Sequence, residues 1–474
     1  MLEFDEFPEW SSLRPGLDIE GLIQQYADAF VGGTLDSLSG ELLSTDQFEY
    51  LVTYCLDRRR YSDAIALASA WTMLAPYSSD AWHKLGIARM SVGKCREAVE
   101  ALRYALVCNP TDVDIILNLA EAYSRAGITS EAEKYFDYAL LLDPSSEEAM
   151  YQKAVFLQQR DCYRDAIEIY ERLVDSPSFA KDVLFQLGYC YDCCQRYEDA
   201  VLAYDRYLEL EPFSADVWYN RGVVLARLSR YTDALTSYDF ALAVEPQHVG
   251  ALFNKGNLLS LVGKLDAAIE CYQEALQYNR TDAAIWYNLG SVLGELGRYD
   301  EAIAAFTEAI LINPRYFEAY VGRGVCYDAL DKWMEALAEY DAALSIQRAY
   351  PDLWYARADV LMQMKLYDDA VESYRTAIEL DSKQACYWYD YAVALIHLHR
   401  FSDAANALRQ ASEVAPLWAD LYYALAKVYL LLSDVAAAQQ ALQRGLELDP
   451  ARRAEFEAKL LAILPEHIVQ SLNR

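Results

Sequence analysis

Basic residues are scarce in this chain. Its 474 residues include 41 lysines and arginines against 72 aspartates and glutamates, a formal net charge of −31. Such an excess of acidic groups repels phosphate backbones and anionic lipid surfaces, so nucleic acid and acidic membranes are not expected as partners. A protein or peptide with basic character is the complementary partner.

Segments that direct a protein into or across a membrane are also missing. The first residues, Met1 to Glu6, show neither a basic stretch nor an apolar stretch and are not typical of a secretory signal. No apolar run approaches the roughly 20 residues that span a bilayer. The ten cysteines are irregularly spaced, which suits a reducing compartment better than a disulfide framework. We therefore expect a cytoplasmic protein without membrane insertion.

Patterns that carry catalysis or bind metals are the third shortage. The five histidines show no triad or metal spacing. Cys190 and Cys193 form a C-x-x-C pattern, but no second ligand pair stands at zinc spacing, so these cysteines matter more for oxidation than for metal. The glycines Gly322 and Gly324 follow no strand and indicate helix packing rather than a phosphate loop. We expect no enzyme activity, no cofactor and no metal.

What the sequence does contain is an uninterrupted alanine series with a step of 34 residues. A fixed period of this length is typical of a repeat array, in which each repeat buries its apolar face against its neighbours. The series predicts an extended solenoid whose first expected function is binding. Its members are Ala64, Ala98, Ala132, Ala166, Ala200, Ala234, Ala268, Ala302, Ala336, Ala370, Ala404 and Ala438.

Each repeat contains two apolar patterns at helical spacing, here called helix A and helix B, joined by a short turn. Position 8 is glycine or alanine in repeats two to twelve, and we expect it to face the alanine at position 20 so that the two helices approach closely. Position 32 is proline in eight of the twelve repeats and ends helix B. Positions are counted from Thr45, Ser79, Val113, Glu147, Lys181, Ala215, Val249, Ala283, Phe317, Pro351, Ala385 and Ala419.

The best-formed repeat carries Trp286 and Gly290 on helix A, with Ala302, Phe306 and Pro314 following. This pattern resembles the tetratricopeptide repeat (TPR), whose signature is Trp–Leu–Gly–Tyr on helix A and Ala–Phe–Ala–Pro on helix B. The resemblance covers residues 45–452 and implies an all-α fold, a right-handed TPR superhelix built as an α-solenoid of helix-turn-helix repeats. Repeat one departs locally, with Val52 at position 8 and with Ala68 and Trp71 reversing the usual large and small positions.

Three regions follow from this frame. Residues 1–44 form an acidic N-terminal helical cap, residues 45–452 the twelve tandem repeats, and residues 453–474 a C-terminal capping helix and tail. The repeat frame stops because Leu460 stands where only a small residue permits a close helix pair, and Pro465 ends the capping helix.

The resemblance implies that positions 2, 5, 6, 9, 12 and 13 of helix A line a concave groove. Asparagine stands at position 6 of three successive repeats, and such carboxamides can hold a peptide backbone because they both donate and accept hydrogen bonds. This is similar to the asparagine ladder of the TPR domain in O-GlcNAc transferases, although asparagine is also simply common at position 6 of the family. The candidate peptide-binding groove is Asn220, Asn254, Asn257 and Asn288 with the flanking Tyr219, Phe253 and Tyr287.

A second candidate is a diagonal of acids, Asp328, Asp359 and Asp390, at positions 12, 9 and 6 of repeats nine to eleven. Tyr355 and Tyr389 adjoin it, and the set suits a lysine- or arginine-bearing segment through ion pairs and cation–π contacts. The alternatives are intramolecular pairing of these acids with Arg323 and Arg357, or plain solvation.

The sequence therefore predicts a protein-interaction adaptor or scaffold that binds an extended peptide or protein partner of basic character in the groove. The alternative is a regulatory or substrate-docking subunit of an enzyme whose catalytic part lies on another chain. A clamp for a C-terminal carboxylate is improbable because no repeat has lysine at position 5. Binding by the outer face stays open, since helix B is expected to expose tyrosines near its edge, namely Tyr204, Tyr238 and Tyr272.

Overall fold

The computed structural model describes residues 19–33 and 43–449. Every helix or strand assigned within these two ranges is an α-helix. The chain divides into two compact units, an N-terminal unit of residues 1–230 and a C-terminal unit of residues 231–474. The predicted C-terminal capping helix lies outside the described residues, as do residues 1–18 and 34–42 of the predicted N-terminal cap (residues 1–44).

In the described part of the N-terminal unit, one helix precedes a series of alternating A and B helices. Helix α1 packs against α3, and the alternation places each helix B between two A helices. The helices are α1 (Ile19–Val31), α2 (Thr45–Asp57), α3 (Tyr61–Leu74), α4 (Ser79–Ser91), α5 (Cys95–Cys108), α6 (Val113–Arg125), α7 (Thr129–Leu142), α8 (Glu147–Gln159), α9 (Tyr163–Leu173), α10 (Ala180–Cys193), α11 (Tyr197–Leu210) and α12 (Ala215–Arg227).

The C-terminal unit continues the same alternation, beginning with a helix B. Its helices are α13 (Tyr231–Val244), α14 (Val249–Leu261), α15 (Leu265–Tyr278), α16 (Ala283–Glu295), α17 (Tyr299–Ile312), α18 (Phe317–Ala329), α19 (Trp333–Ile346), α20 (Pro351–Gln363), α21 (Tyr367–Leu380), α22 (Ala385–His397), α23 (Phe401–Val414), α24 (Ala419–Leu431) and α25 (Val435–Leu448). The predicted all-α solenoid of helical hairpins is confirmed.

The turn from helix A to helix B has one backbone geometry throughout. Position 15 lies in the left-handed region in every repeat, from Arg59 (φ 57°) to Gly93 (φ 79°). Glycine reaches this region without a Cβ clash, whereas other residues are strained there. The eight repeats without glycine at position 15 therefore accept a small local cost to keep the hairpin turn.

The small residue at position 8 faces a different partner from the one expected. A Cβ added to Gly290 would lie 2.9 Å from the Phe306 ring, and one added to Gly324 would lie 2.5 Å from the Tyr340 ring. The prediction that position 8 faces the alanine at position 20 is wrong, because the close neighbour of position 8 is the large side chain at position 24. Helix A approaches helix B closely because its glycine leaves room for that ring.

Repeat one follows the same rule in reverse. Val52 is the large residue at position 8, and Ala68 is the small residue at position 24, where the other repeats carry a larger side chain. Both are fully buried, and Trp71, 1% exposed, fills the remaining space by stacking on Phe48 with centroids 5.9 Å apart. The large and small side chains have thus exchanged positions between helix A and helix B, so their combined volume stays similar.

Candidate functional site

The acidic diagonal lies wholly in the C-terminal unit, on three consecutive A helices. Asp328 is on α18, Asp359 on α20 and Asp390 on α22. A tyrosine links two of these helices, because the Tyr355 hydroxyl of α20 donates to Asp390 Oδ2 over 2.7 Å. The structure therefore brings Asp390 to Tyr355. The three acids with Tyr355 and Tyr389 are called the acidic face below.

Asp359 accepts a hydrogen bond from helix B of its own repeat. The Tyr374 hydroxyl of α21 donates to Asp359 Oδ1, and the Tyr374 ring is fully buried. Tyr355 packs against that ring with centroids 5.7 Å apart and stacks on Tyr387 at 4.9 Å. Because these rings are packed, their hydroxyl groups hold the Asp359 and Asp390 carboxyl groups in one orientation.

Burial without a compensating cation changes the acidity of this face. Burial raises the pKa of Asp359 to about 6, and the charges of Asp390 and Asp328 add to the shift, while the Tyr374 hydrogen bond opposes it. Burial also raises the pKa values of Asp390 and Asp328. Partial burial and the neighbouring negative charges therefore make ionisation of Asp359 less favourable than it is in water.

The two arginines considered as internal partners bind elsewhere. Arg323 donates to both carboxylate oxygens of Glu339 at 2.8 Å and to Thr307 Oγ1 at 2.9 Å. Arg357 donates to Asp341 Oδ1 at 2.7 Å and to Ser373 Oγ at 2.6 Å. Within the described part of the chain, no lysine or arginine forms an ion pair with the three acids of the acidic face.

Tyr389 belongs to a neighbouring contact. Its ring packs against Trp418 with centroids 5.2 Å apart, at the junction of repeats eleven and twelve. Tyr389 is adjacent to Asp390 in sequence, but its ring extends toward the next repeat.

The asparagine positions are divided between the two units. Asn220 and Tyr219 lie on α12 of the N-terminal unit, whereas Asn254, Asn257 and Asn288 lie on α14 and α16 of the C-terminal unit. Asn257 joins two repeats, because its Oδ1 accepts from Asn288 Nδ2 at 3.2 Å and from the Tyr272 hydroxyl at 2.7 Å. These bonds fix the rotamer and identify the oxygen side of the Asn257 amide.

The aromatic neighbours of the asparagines are partly committed to packing. The Phe253 ring lies 6.2 Å from Tyr272, and the Tyr287 ring lies 5.1 Å from Tyr316 and 5.9 Å from Phe306. Both side chains are partly buried against the core, so a ligand could contact only their remaining surface.

Sequence reasoning missed the role of the position 24 tyrosines. The expected exposure of Tyr204, Tyr238 and Tyr272 is wrong: they are 2%, 2% and 1% exposed. Their rings fill the space opposite position 8, and a hydroxyl can then emerge beside helix A, as Tyr272 does at Asn257 and Tyr374 at Asp359. In both pairs the acceptor precedes the tyrosine by 15 residues, and this spacing is the signal that could have revealed them.

Metal-binding clusters and membrane-spanning helices are absent from the described residues. They contain no group of three histidine, cysteine or acidic side chains placed to hold a metal ion. None of their helices combines the length and the apolar character needed to cross a membrane.

Comparison with known sequences places repeat models along much of the chain. Tetratricopeptide repeat models match residues 83–147, 195–243, 224–260, 283–316, 361–423 and 419–452, and a further TPR repeat model matches residues 262–297. No curated protein matches the sequence.

Several solved structures share the repeat. MamA is 26% identical over 35% of this chain and 97% of its own, with a TM-score of 0.34. YrrB, described as a TPR protein with an unusual peptide-binding site, is 21% identical over 40% of this chain and 98% of its own, with a TM-score of 0.37. The APC/C hetero-tetramer Cut9–Hcn1 is 17% identical over 92% of this chain and 93% of its own, with a TM-score of 0.36.

The family assignment rests on the sequence models and on the 34-residue hairpin array, which agree with each other along the chain. The chain belongs to the tetratricopeptide repeat family.

Proposed function

We propose that this TPR chain is an adaptor or scaffold whose C-terminal unit binds an extended, lysine- or arginine-bearing segment along the acidic face. Repeats of this family are in general a non-catalytic protein-interaction fold, which supports the class of function. The observation that carries the finer proposal is the group of three partly buried carboxyl groups, Asp328, Asp359 and Asp390, without an internal cation.

An ammonium or guanidinium group supplies what this face lacks. It would favour the ionised carboxylates through charge-assisted hydrogen bonds, which are stronger than neutral ones. The ring of Tyr355 adds a surface for a cation–π contact at the same place. Because the carboxyl groups are already oriented by Tyr355 and Tyr374, the receptor loses little conformational freedom on binding.

The asparagines of the candidate peptide-binding groove would contribute contacts that do not depend on the sequence of the peptide. The hydrogen bonds from Tyr272 and Asn288 both use the carbonyl oxygen of Asn257, so its N–H groups are the part of the amide suited to donate to a peptide carbonyl. Within the C-terminal unit, Asn254 and Asn288, with Phe253 and Tyr287, would extend this contact along helix A positions. We infer that the basic side chains select the partner and that the carboxamides hold its backbone.

The test uses a fluorescein-labelled peptide of alternating lysine and glycine, with a glutamate–glycine peptide for comparison. The variant Asp328→Asn/Asp359→Asn/Asp390→Asn should weaken binding of the lysine peptide at least tenfold, about 1.4 kcal/mol. The matched control, Glu270→Gln/Glu274→Gln/Glu308→Gln, removes the same charge from exposed positions of helix B. Fluorescence anisotropy measures both.

Equal weakening by the two triple variants would show that only net charge attracts the peptide, and the acidic face would be rejected.

The asparagine contribution is separable: Asn254→Ala/Asn288→Ala should reduce affinity without changing the dependence on salt, since neutral contacts release no counterions. A changed salt dependence would contradict that division of roles.

A further inference from the structure

Three cysteines meet at the hairpin turns of repeats four and five in the N-terminal unit. Cys162 is the N-cap residue of α9, Cys193 is the last residue of α10, and Cys194 caps that helix. All three line one open cleft of about 610 Å³, together with Asp161 and Tyr163. Thiols far apart in sequence and on different helices thus share one solvent-accessible space.

Two tyrosines hold Cys193 beside the turn that carries Cys162. The Tyr163 and Tyr189 rings meet edge to face with centroids 6.1 Å apart, and the Tyr163 hydroxyl donates to Asp161 Oδ1 at 2.6 Å. A hydrogen bond with the Cys193 thiol is the main cause of the raised pKa of Tyr189. Cys193 also contacts Tyr163, the residue that follows Cys162.

The thiols of this cleft differ from the buried cysteines of the chain. Cys55, Cys190, Cys271 and Cys326 are buried in the helix packing. Burial raises the pKa of Cys190 to about 12, so this neighbour stays a protonated, unreactive thiol. Cys193 is exposed, and Cys162 and Cys194 are half-buried, so oxidants in solution reach them.

We propose that this cleft is a thiol-oxidation site, in which a hydroperoxide converts Cys162 and a thiol of the Cys193–Cys194 pair into a disulfide between repeats four and five. The Cys193 sulfur attacks the peroxide O–O bond, which breaks to give a sulfenic acid on Cys193 and an alcohol or water. The Cys162 sulfur then attacks the oxidised sulfur, forming the S–S bond and releasing water with the Cys162 proton. Both sulfurs are oxidised, and the peroxide oxygens are reduced.

Cys194 can take the place of Cys193 as the attacked sulfur, because the two adjoin on the same helix end. Either bond connects the start of helix B in repeat four with the end of helix A in repeat five. In a solenoid, each repeat contacts only its neighbours, so a covalent link across one junction restricts bending there. All ten cysteines are unpaired thiols in this structure.

The test exposes the reduced, full-length protein to hydrogen peroxide, blocks the remaining thiols and digests it with trypsin without reduction. Cleavage after Arg160, Arg164, Lys181 and Arg196 should release residues 161–164 linked to residues 182–196. Further cleavage after Tyr191 separates Cys190 from the other two, and fragmentation of the linked peptide between Cys193 and Cys194 identifies the bonded sulfur. Mass spectrometry should find this linked pair as the main product, and reduction should remove it.

Cys162→Ser should abolish the linked pair and leave a sulfenic acid on Cys193 that dimedone traps, while circular dichroism shows unchanged helicity. Cys108→Ser is the control, because Cys108 is also exposed but lies at the end of α5. It should leave the linked pair unchanged. Absence of the pair in the wild-type protein, or equal labelling of Cys108 and Cys193 at limiting peroxide, would overturn the proposal.

Discussion

Position 15 of each repeat places one residue in a left-handed turn, and the side chain there decides the local cost. Gly297 has φ 74°, whereas Lys365 occupies the same position with φ 60°. The sequence indicates a turn at both sites, since each lies between two helical patterns. It does not indicate that one backbone angle recurs in all twelve repeats, because eight of the residues are not glycine.

Two glycines three residues apart should respond oppositely to alanine. Gly297→Ala places a Cβ in the left-handed region and should destabilise repeat eight by about 1 kcal/mol. Gly294→Ala, inside α16, would place its Cβ in ordinary contact, 3.6 Å from Cys326 Sγ, and should stabilise the helix by up to about 1 kcal/mol. Urea unfolding of the two variants measures the difference. The same sign for both would contradict this assignment of the turn.

The tyrosines at position 24 show why single residues of the site resisted prediction. Their periodicity places them on helix B, but a phenol can be read either as core or as an exposed edge. The decisive factor is the glycine or alanine at position 8, which makes room for the ring and determines where the hydroxyl emerges. This is a property of two helices together, so one helical pattern alone does not reveal it.

Between elements, ion pairs join successive repeats through position 7, where this chain often has a base. Arg221 pairs with Asp205 at 2.6 Å, Lys255 with Asp239 at 2.7 Å and Arg357 with Asp341 at 2.7 Å. Each acid precedes its base by 16 residues and lies on the preceding helix B. Arg357, one of these bases, is thereby paired with Asp341 rather than with an acid of the acidic face.

Arg323 is also at position 7, but it pairs with Glu339 on the following helix B, and their side chains are only 15% and 14% exposed. Arg323→Leu should destabilise α18 and α19 by about 2 kcal/mol, because Glu339 loses its partner while remaining enclosed. Arg323→Leu/Glu339→Leu should recover most of that loss. Hydrogen exchange of the two helices measures the effect locally, which suits an array that opens by repeats.

If the double variant were as unstable as Arg323→Leu alone, the ion pair would not be the cause. The loss would then reflect packing of the arginine stem against its neighbours.

For the whole molecule, the alanine period made the array predictable in advance. The 34-residue step fixed the order and spacing of the hairpins, and the start of helix A in the structure agrees with the repeat frame to within one residue, as at Ala180 in repeat five. The negative net charge of the chain predicts a partner of positive charge. The burial of three carboxyl groups and the alternative partners of Arg323 and Arg357 depend on helix packing, which composition does not encode.

In the proposed binding mode, binding of a basic peptide to the acidic face is coupled to the release of protons. Asp359, with its pKa raised to about 6, is partly protonated near that pH, and a bound cation favours its ionised form. Binding must therefore expel a proton near pH 6. Affinity for a basic peptide should rise as the pH increases through this region, because the free protein no longer has to lose that proton.

Isothermal titration calorimetry of the lysine–glycine peptide at pH 6, in two buffers of different ionisation enthalpy, counts those protons. The account predicts net proton release by the wild-type protein and a clearly smaller release by Asp359→Asn, which has no proton to lose at that position. Peptide binding with equal enthalpy in both buffers would contradict it, because the cation would then bind away from the acidic face.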